Sequence, residues 1–267
     1  MWPAQKQRTP IQVFIDVSVA LLYRECKTRF GDRKLGVFWI LLEPLILIVG
    51  MSIIFTVRGR EGLGMAELPV FIATGLVPLF LFRKGVSKGM KAISSNKGLF
   101  IFPLVRPFPA IISRVVVELI VAAASLVVLV FGFAWLDYSA FPSDFTMVFA
   151  AYVLLTLITL GFSLGMCSLY ERMNVVDTLW SLLSMPLMIL SGAIVPILLV
   201  APPQYHELLL LNPILEALEL IRFYWLTDYP TPVDVDDTWF SLFCWSVGSM
   251  FFGLSVYRCT WQKMVSL

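Results

Sequence analysis

Charged residues and histidine are scarce in this sequence. Only 14% of its 267 residues are Asp, Glu, Lys or Arg, and His206 is the single histidine. Soluble domains carry about 25% charged residues. Because 59% of the chain is hydrophobic, one core could not hide its apolar side chains behind a polar surface. A water-soluble globular domain is therefore excluded, and we predict an all-α membrane protein.

Motifs for several kinds of chemistry are also missing. There is no GxxxxGK[ST] loop to hold nucleotide phosphates, and one histidine cannot form an HExxH or multi-histidine metal site. The cysteines form no CxxC pair and are interpreted as small hydrophobes; they are Cys26, Cys167, Cys244 and Cys259. We therefore predict no ATPase site, no metal site and no cofactor in this chain. Such a membrane protein is expected to move a substrate rather than transform it.

Six apolar stretches predict six transmembrane helices, since about 20 residues cross the hydrocarbon core and backbone groups in lipid must bond internally. The second stretch is short and is expected to begin a few residues earlier. The predicted spans are 37–57, 68–82, 111–135, 145–170, 176–200 and 238–257. They form a single transmembrane domain, 37–267, which follows an N-terminal segment, 1–36.

The distribution of basic residues predicts the orientation. Sixteen of the 20 Lys and Arg residues fall in segments that six spans place on one side, whereas the opposite loops hold only Arg58, Arg60 and Arg222 beside eleven acids. Positive-inside bias therefore puts both termini in the cytoplasm. Arg58 and Arg60 either guide an anionic chain outside the membrane or pair with Glu61 or Glu67.

Two regions are predicted to lie at a membrane surface. In 11–36 the apolar residues collect on one side, which indicates an amphipathic interface helix that ends near Gly31. Between 186 and 226, several prolines would break a long helix, and the charged residues would be costly at the bilayer centre. Both observations argue against a seventh span and favour re-entrant short helices before the last span. Asn212 should start the last of these helices. Glu219 and Arg222 should pair.

Three acids lie within or beside the predicted spans: Glu43, Glu118 and Asp177. Each is interpreted as half of a structural ion pair, for example Glu118 with Arg114 four residues earlier. The alternative for Glu43 or Glu118 is a proton relay.

The loop 83–107, RKGVSKGMKAISSNKGLFIFPLVRP, has six basic residues and no acid. The spacing of Lys84, Lys88 and Lys91 puts them on one helical face, and Phe100 and Phe102 add apolar side chains. One interpretation is a basic loop held to anionic lipid headgroups. The other is a helix that docks into a partner, because exposed aromatic rings are costly unless they are buried.

Four motifs, in order along the chain, resemble permease subunits of type-2 ABC exporters. They are LYRECKTRFGDRKLGVFWILLEP at 22–44, NKGLF at 96–100, PLVRP at 103–107 and LNPILEALELIR at 211–222. The nearest likeness is to the KpsM-like group, which exports capsular polysaccharide from Gram-negative bacteria. The resemblance implies a multi-pass protein of the bacterial inner membrane.

The resemblance also implies the partners. A second copy of the permease and two copies of a cytoplasmic ABC ATPase, which binds ATP and Mg, would form the exporter. A periplasmic adaptor or co-polymerase and an outer-membrane pore would carry the lipid-linked glycan onward, and no nucleic acid is involved. Coupling to the ATPase would fall on Lys91, Ser94, Ser95, Asn96, Lys97, Phe100 and Phe102.

A glycan path is expected to use aromatic rings and basic groups. Rings on spans that are candidates to line the channel are Trp39, Phe80, Phe82, Tyr152, Phe162 and Trp180; the alternative is that they face lipid or pack between helices. A basic cluster for lipid phosphate or substrate access is Arg24, Arg29, Arg33 and Lys34. The alternative there is ordinary interfacial charge.

Other functions stay open on the sequence alone. The same scaffold serves other cargo, such as O-antigen, teichoic acid or a small molecule. A membrane glycosyltransferase would need acids in a cytoplasmic loop, and 83–110 has none. A secondary transporter would usually show two related halves, which are not seen.

Overall fold

The computed structural model describes residues 9–31, 36–57, 67–100, 106–138, 140–173, 175–227 and 229–265. Within these ranges the chain is helical and contains no β-strand. The α-helices are α1 Pro10–Phe30, α2 Gly36–Val57, α3 Leu68–Met90, α4 Pro107–Trp135, α5 Phe145–Tyr170, α6 Val175–Leu190, α7 Ile197–Val200, α8 His206–Leu209, α9 Pro213–Trp225 and α10 Val235–Val265. Two short 3₁₀ helices, Ser94–Leu99 and Pro203–Tyr205, lie between them.

Capping residues set several helix ends. Thr9 caps α1 together with Gln12, and the N–H of Gly31 closes the other end on the Lys27 carbonyl. Asp144 caps α5, and Asn212 caps α9 by accepting from the Ile214 N–H. The predicted helix end at Gly31 and the predicted start at Asn212 are both confirmed.

Among the described residues, four helices are long and apolar enough to cross a bilayer: Leu68–Met90, Pro107–Trp135, Phe145–Tyr170 and Val235–Trp261. Two shorter apolar stretches, Leu42–Phe55 and Val175–Leu190, lie in α2 and α6. The predicted span 145–170 matches α5 residue for residue. The all-α class is confirmed over the described residues.

The helices at the second and fifth predicted spans have other bounds than those spans. Helix α3 begins at Leu68, not earlier, and continues past 82 to Met90, where Arg83 and Lys84 bond to α6 and α2. The helix at the fifth predicted span does not reach 200. Helix α6 ends at Leu190, and the chain turns at Gly192, whose φ of +67° suits glycine.

The bundle has two ends, at which different connections between the helices lie. At one end, which we call the basic end, the connections α3–α4 and α5–α6 meet the C-terminal part of α10. There the Phe108 N–H donates to the Tyr257 hydroxyl at 3.2 Å. At the opposite end the Asp144 N–H donates to the Tyr224 carbonyl at 3.0 Å, which joins α5 to α9.

The segment between α6 and α10 is fastened by a buried arginine. The Arg222 guanidinium donates to the carbonyls of Gly192 at 2.8 Å and Ala193 at 3.0 Å. Its ion pair with Glu219, at 3.4 Å, confirms the predicted pairing, and the Tyr229 hydroxyl donates to the same carboxylate. The turn after α6 is thus bonded directly to α9.

Helix α5 lies at the centre and contacts α3 on one side and α10 on the other. The α5–α10 crossing depends on two glycines. A Cβ added at Gly253 would lie 2.2 Å from the Gly161 carbonyl oxygen, and one at Gly161 would lie 2.5 Å from the Ser249 carbonyl oxygen. Small residues let the two backbones approach this closely.

We expect Gly253→Val to push α10 away from α5, because the obstructing atoms belong to the backbone and cannot rotate aside. Overpacking of this kind costs about 1–3 kcal/mol. The thermal unfolding midpoint of the detergent-solubilised protein should fall. Gly248→Val is the matched control on the same helix, since nothing lies within 4 Å of its Cβ position. Equal midpoints for the two variants would contradict the close crossing.

Candidate coupling and substrate site at the basic end

The α3–α4 connection contains the 3₁₀ helix Ser94–Leu99, and the residues just before this helix pack on α5. Ala92 and Ile93 are buried against Leu164 and Cys167 of α5. The Asn96 side chain is buried and donates to the Ala92 carbonyl at 2.7 Å. Residues 91–100 are therefore held against the bundle.

Helix α1 is bonded to this connection through a polar network. Arg24 donates to the Asn96 side-chain oxygen, and Glu25 pairs with Arg114 of α4 at 3.1 Å. Arg114 also donates to the carbonyls of Lys88 and Lys91, each at 3.0 Å. Displacement of the 3₁₀ helix would consequently pull on α1 and α4 together.

A second ion pair joins α1 to α4 one turn further along. Arg29 binds Glu118 through both carboxylate oxygens, and the Nη2–Oε2 distance is 3.1 Å. The Glu118 side chain is 2% exposed and that of Arg29 is 20% exposed. The predicted pair of Glu118 with Arg114 is wrong, because α1 supplies a cation that reaches Glu118 and an acid that reaches Arg114.

Helix α6 and the α5–α6 connection also contact this part of the chain. Lys91, which precedes the 3₁₀ helix, pairs with Asp177 of α6 at 2.7 Å. The Glu171 carboxyl lies near the Ser94 N–H and the Lys97 ammonium; burial raises its pKa above the ordinary value, and these two groups act in the opposite direction. Residues 91–97 thus contact α1, α4, α5 and α6.

Two cavities open at the basic end. The first, about 280 Å³, lies under α1; it is lined by Glu25, Thr28, Arg29, Lys88, Lys91, Ser95, Arg114, Val117 and Glu118. The second, also about 280 Å³, lies between α2, α3 and α6, and we call it the α2–α3–α6 cavity. It is lined by Glu43, Phe80, Arg83, Lys84, Ser87, Lys88, Trp180, Ser181 and Ser184.

A family model described as ABC-2 type transporter matches residues 18–226, which is most of the chain. The chain belongs to the ABC-2 type transporter family. The match includes α2 to α9 and both cavities.

Two capsule polysaccharide proteins are similar to the chain over most of its length, and an O-antigen permease is similar over a shorter part. The chain is 28% identical to the polysialic acid transport protein KpsM of Escherichia coli over 251 residues, which cover 92% of this chain and 94% of KpsM. It is 26% identical to the capsule polysaccharide export inner-membrane protein CtrC of Neisseria meningitidis, with 84% of each chain covered. It is 32% identical to the O-antigen export system permease protein RfbA of Myxococcus xanthus, over 59% of this chain and 58% of RfbA.

The residues predicted to contact an ATPase differ in how exposed they are. Ser95 and Lys97 are exposed on the 3₁₀ helix. Lys91 and Asn96 are engaged internally, and Ser94 donates to the Lys91 carbonyl. Phe100 is half-buried against the cluster around Ile93 and does not stand free. Phe102 lies outside the described residues.

The two members of the predicted phosphate-binding cluster that the structure describes are bonded to partners within the chain. Arg24 is bonded to Asn96 and Arg29 to Glu118. Arg33 and Lys34 lie outside the described residues, as do Arg58 and Arg60. An anion at Arg24 or Arg29 would have to compete with these internal bonds.

The predicted channel rings separate into two groups. Phe82, Phe162 and Trp180 form one packed cluster, with ring centroids of Phe82 5.5 Å from Phe162 and 6.0 Å from Trp180. Tyr152 is buried in the core. Phe80 is half-buried and, with Trp180, lines the α2–α3–α6 cavity. The side chain of Trp39 lies outside those that the structure describes.

A GxSxG pattern at 161–165 resembles a hydrolase motif but has another role here. Such a serine acts on a strand-to-helix turn beside a histidine. Ser163 instead lies within α5, where it donates to the carbonyls of Thr159 at 2.6 Å and Gly85 at 3.3 Å. His206 bonds the Ala201 carbonyl in the segment after α6. The pattern serves helix packing.

The interpretation of Glu43, Glu118 and Asp177 as halves of structural ion pairs is confirmed. Sequence reasoning did not identify their partners, which are Lys84, Arg29 and Lys91. It also missed the bonds of Glu25 with Arg114 and of Ser184 with Arg83. The available signal was the placement of single charges near the ends of apolar stretches, where lipid or protein would otherwise surround them. That signal indicates that each of these charged residues needs a partner, but it does not identify the partner.

The Arg29–Glu118 pair makes a prediction for stability. Arg29→Gln leaves the Glu118 carboxylate buried without a countercharge, and breaking a buried pair costs about 3–5 kcal/mol. Arg29→Gln combined with Glu118→Gln should recover much of that loss. A double-mutant cycle on thermal unfolding in detergent measures the coupling. If the double variant were no more stable than Arg29→Gln alone, the pair would not be what holds α1 to α4.

Proposed function

We propose that this chain is the permease subunit of an ATP-driven exporter that moves lipid-linked capsular polysaccharide across the bacterial inner membrane. The observation that carries the proposal is the similarity to KpsM, which extends over 92% of this chain and 94% of KpsM. CtrC, a capsule polysaccharide export protein, supports the same substrate class.

In the proposed topology six spans, formed by α2, α3, α4, α5, α6 and α10, cross the membrane as one domain. The segment 1–36 precedes them, with α1 lying in the interface, and the short helices α7 to α9 dip into the outer leaflet. Both termini and the basic end face the cytoplasm. The support is the gathering of α1, the α3–α4 connection and the end of α10 at one end of the bundle, where basic residues are concentrated.

The ATP-binding partner in this proposal is a pair of cytoplasmic ABC ATPases, which hold ATP and Mg, on a pair of permeases. Ser95 and Lys97 present the surface that the ATPase contacts. When the ATPases close, the 3₁₀ helix moves, and the bonds from Asn96, Arg114 and Lys91 transmit that movement to α1, α4 and α6. A periplasmic adaptor and an outer-membrane pore receive the polymer.

A second candidate is export of another glycan by the same mechanism. The 32% identity to RfbA, an O-antigen export permease, favours O-antigen as that alternative. RfbA matches over only 59% of this chain, so capsular polysaccharide remains the first choice.

Complementation tests the proposed function. The chain and its own ATPase, expressed in a capsule-producing strain whose permease gene is deleted, should restore surface capsule as measured with a capsule-specific antibody. A parallel strain that lacks its O-antigen permease tests the alternative. Restored O-antigen without restored capsule would replace the first proposal by the second, and restoration of neither would reject both.

Labelling tests the orientation. In a variant whose four cysteines are replaced by alanine, Ser95→Cys should react with a membrane-impermeant maleimide only after spheroplasts are permeabilised. Gln204→Cys, an exposed position in the segment before α9, is the control and should react in intact spheroplasts. Reaction of Ser95→Cys from outside would reverse the proposed topology.

A further inference from the structure

The α2–α3–α6 cavity carries an excess of positive charge. Three cations, Arg83, Lys84 and Lys88, line it beside one carboxylate, Glu43. The Lys84 ammonium is paired with Glu43 at 2.7 Å. Within the part of the chain that the structure describes, Arg83 and Lys88 form no ion pair, so two positive charges remain available to a ligand.

Arg83 has unused hydrogen-bonding capacity at the wall of this cavity. One guanidinium nitrogen donates to the Ser184 hydroxyl at 3.0 Å, and another contacts the Met188 sulfur at 3.7 Å. Its Nε is buried and has no hydrogen-bond partner among the described residues. A buried donor without an acceptor is costly, and a guanidinium fork is suited to the two oxygens of a phosphate or carboxylate.

The other walls of the cavity suit a sugar beside the anion. Phe80 and Trp180 contribute aromatic surface, and Ser87 and Ser181 contribute hydroxyls. Serine hydroxyls can both donate hydrogen bonds to sugar oxygens and accept them from sugar hydroxyls. The volume of about 280 Å³ is sufficient for a phosphate or an acidic sugar residue.

Three other arginines at the basic end are bonded to partners within the chain. Arg24, Arg29 and Arg114 are bound to Asn96, Glu118 and Glu25, so an anion there would have to displace a bond that holds α1. Arg83 and Lys88 have no such competitor. The sequence-based choice of Arg24 and Arg29 for phosphate binding is therefore less suitable than this cavity.

We propose that the α2–α3–α6 cavity binds an anionic group of the transported glycan, a phosphate or a carboxylate, through Arg83 and Lys88. The inference rests on the proposed export function and specifies where in the permease the substrate is first held. The anion has two possible sources, the phosphate of the lipid anchor or an acidic sugar of the polymer.

Binding to the full-length protein in phosphatidylcholine nanodiscs, measured by isothermal titration calorimetry, tests the site. The probes are dihexanoyl phosphatidic acid, uncharged dihexanoylglycerol and lipid-free trigalacturonate. We expect at least one anionic probe to bind and the uncharged lipid not to bind. Arg83→Gln and Lys88→Gln should each weaken the binding about tenfold, since each removes a charge-assisted hydrogen bond.

Arg172→Gln is the matched control, because Arg172 is exposed at the basic end and lines neither cavity. It should bind the probes as the unaltered chain does. Lys88 is exposed and unpaired in the described structure, so Lys88→Gln decides the question even if Arg83→Gln does not fold. Binding of phosphatidic acid alone assigns the anchor phosphate, and binding of trigalacturonate alone assigns an acidic sugar.

The site is rejected if neither anionic probe binds or if Lys88→Gln binds as tightly as the unaltered chain. This failure is distinct from failure of the proposed function. An unaltered chain that restores capsule while Lys88→Gln leaves probe binding unchanged would remove the site and keep the function. A chain that restores no glycan would remove the function whatever the calorimetry gives.

Discussion

A charged side chain inside an apolar bundle must meet a partner, and the architecture of this permease depends on how that requirement is met. Leaving a buried charge such as Glu118 unpaired costs several kcal/mol, so its pair with Arg29 fixes α1 relative to α4. Lys84 with Glu43 links α3 to α2, and Lys91 with Asp177 links the α3–α4 connection to α6. These two pairs are partly exposed and contribute less to stability than the buried pair.

At the opposite end of the bundle, a buried arginine bonded to backbone carbonyls holds the elements together. Arg222 is fully buried, lies over the Phe71 ring with 3.8 Å between its guanidinium carbon and the ring centroid, and bonds two carbonyls of the turn after α6. Gly75 is required beside it, because a Cβ there would lie 2.4 Å from Arg222. In the proposed exporter, these bonds at both ends would pass a force on the 3₁₀ helix to the neighbouring helices.

Whether a cation has a partner within the chain distinguishes the structural cations from those proposed to bind substrate. Arg24, Arg29 and Arg114 are satisfied within the chain, whereas Arg83 and Lys88 are not. In the sequence these residues are alike, since all are basic and all lie near the ends of apolar stretches. Only their surroundings distinguish a cation that holds α1 from one that is free to bind an anion.

The sequence by itself determined the membrane class, the all-α fold, the limits of α5 and the helix ends at Gly31 and Asn212, because hydropathy and capping are local properties of the chain. It also contained the Glu219–Arg222 pair, since the two residues are three apart on one helix. The tertiary structure decided the rest. Where α3 ends, where α6 breaks and which acid meets which base depend on residues far apart in sequence: Arg29 and Glu118, 89 positions apart, meet only after α1 has packed on α4. No local pattern can encode such a pairing, because its energy arises only when both groups leave water together.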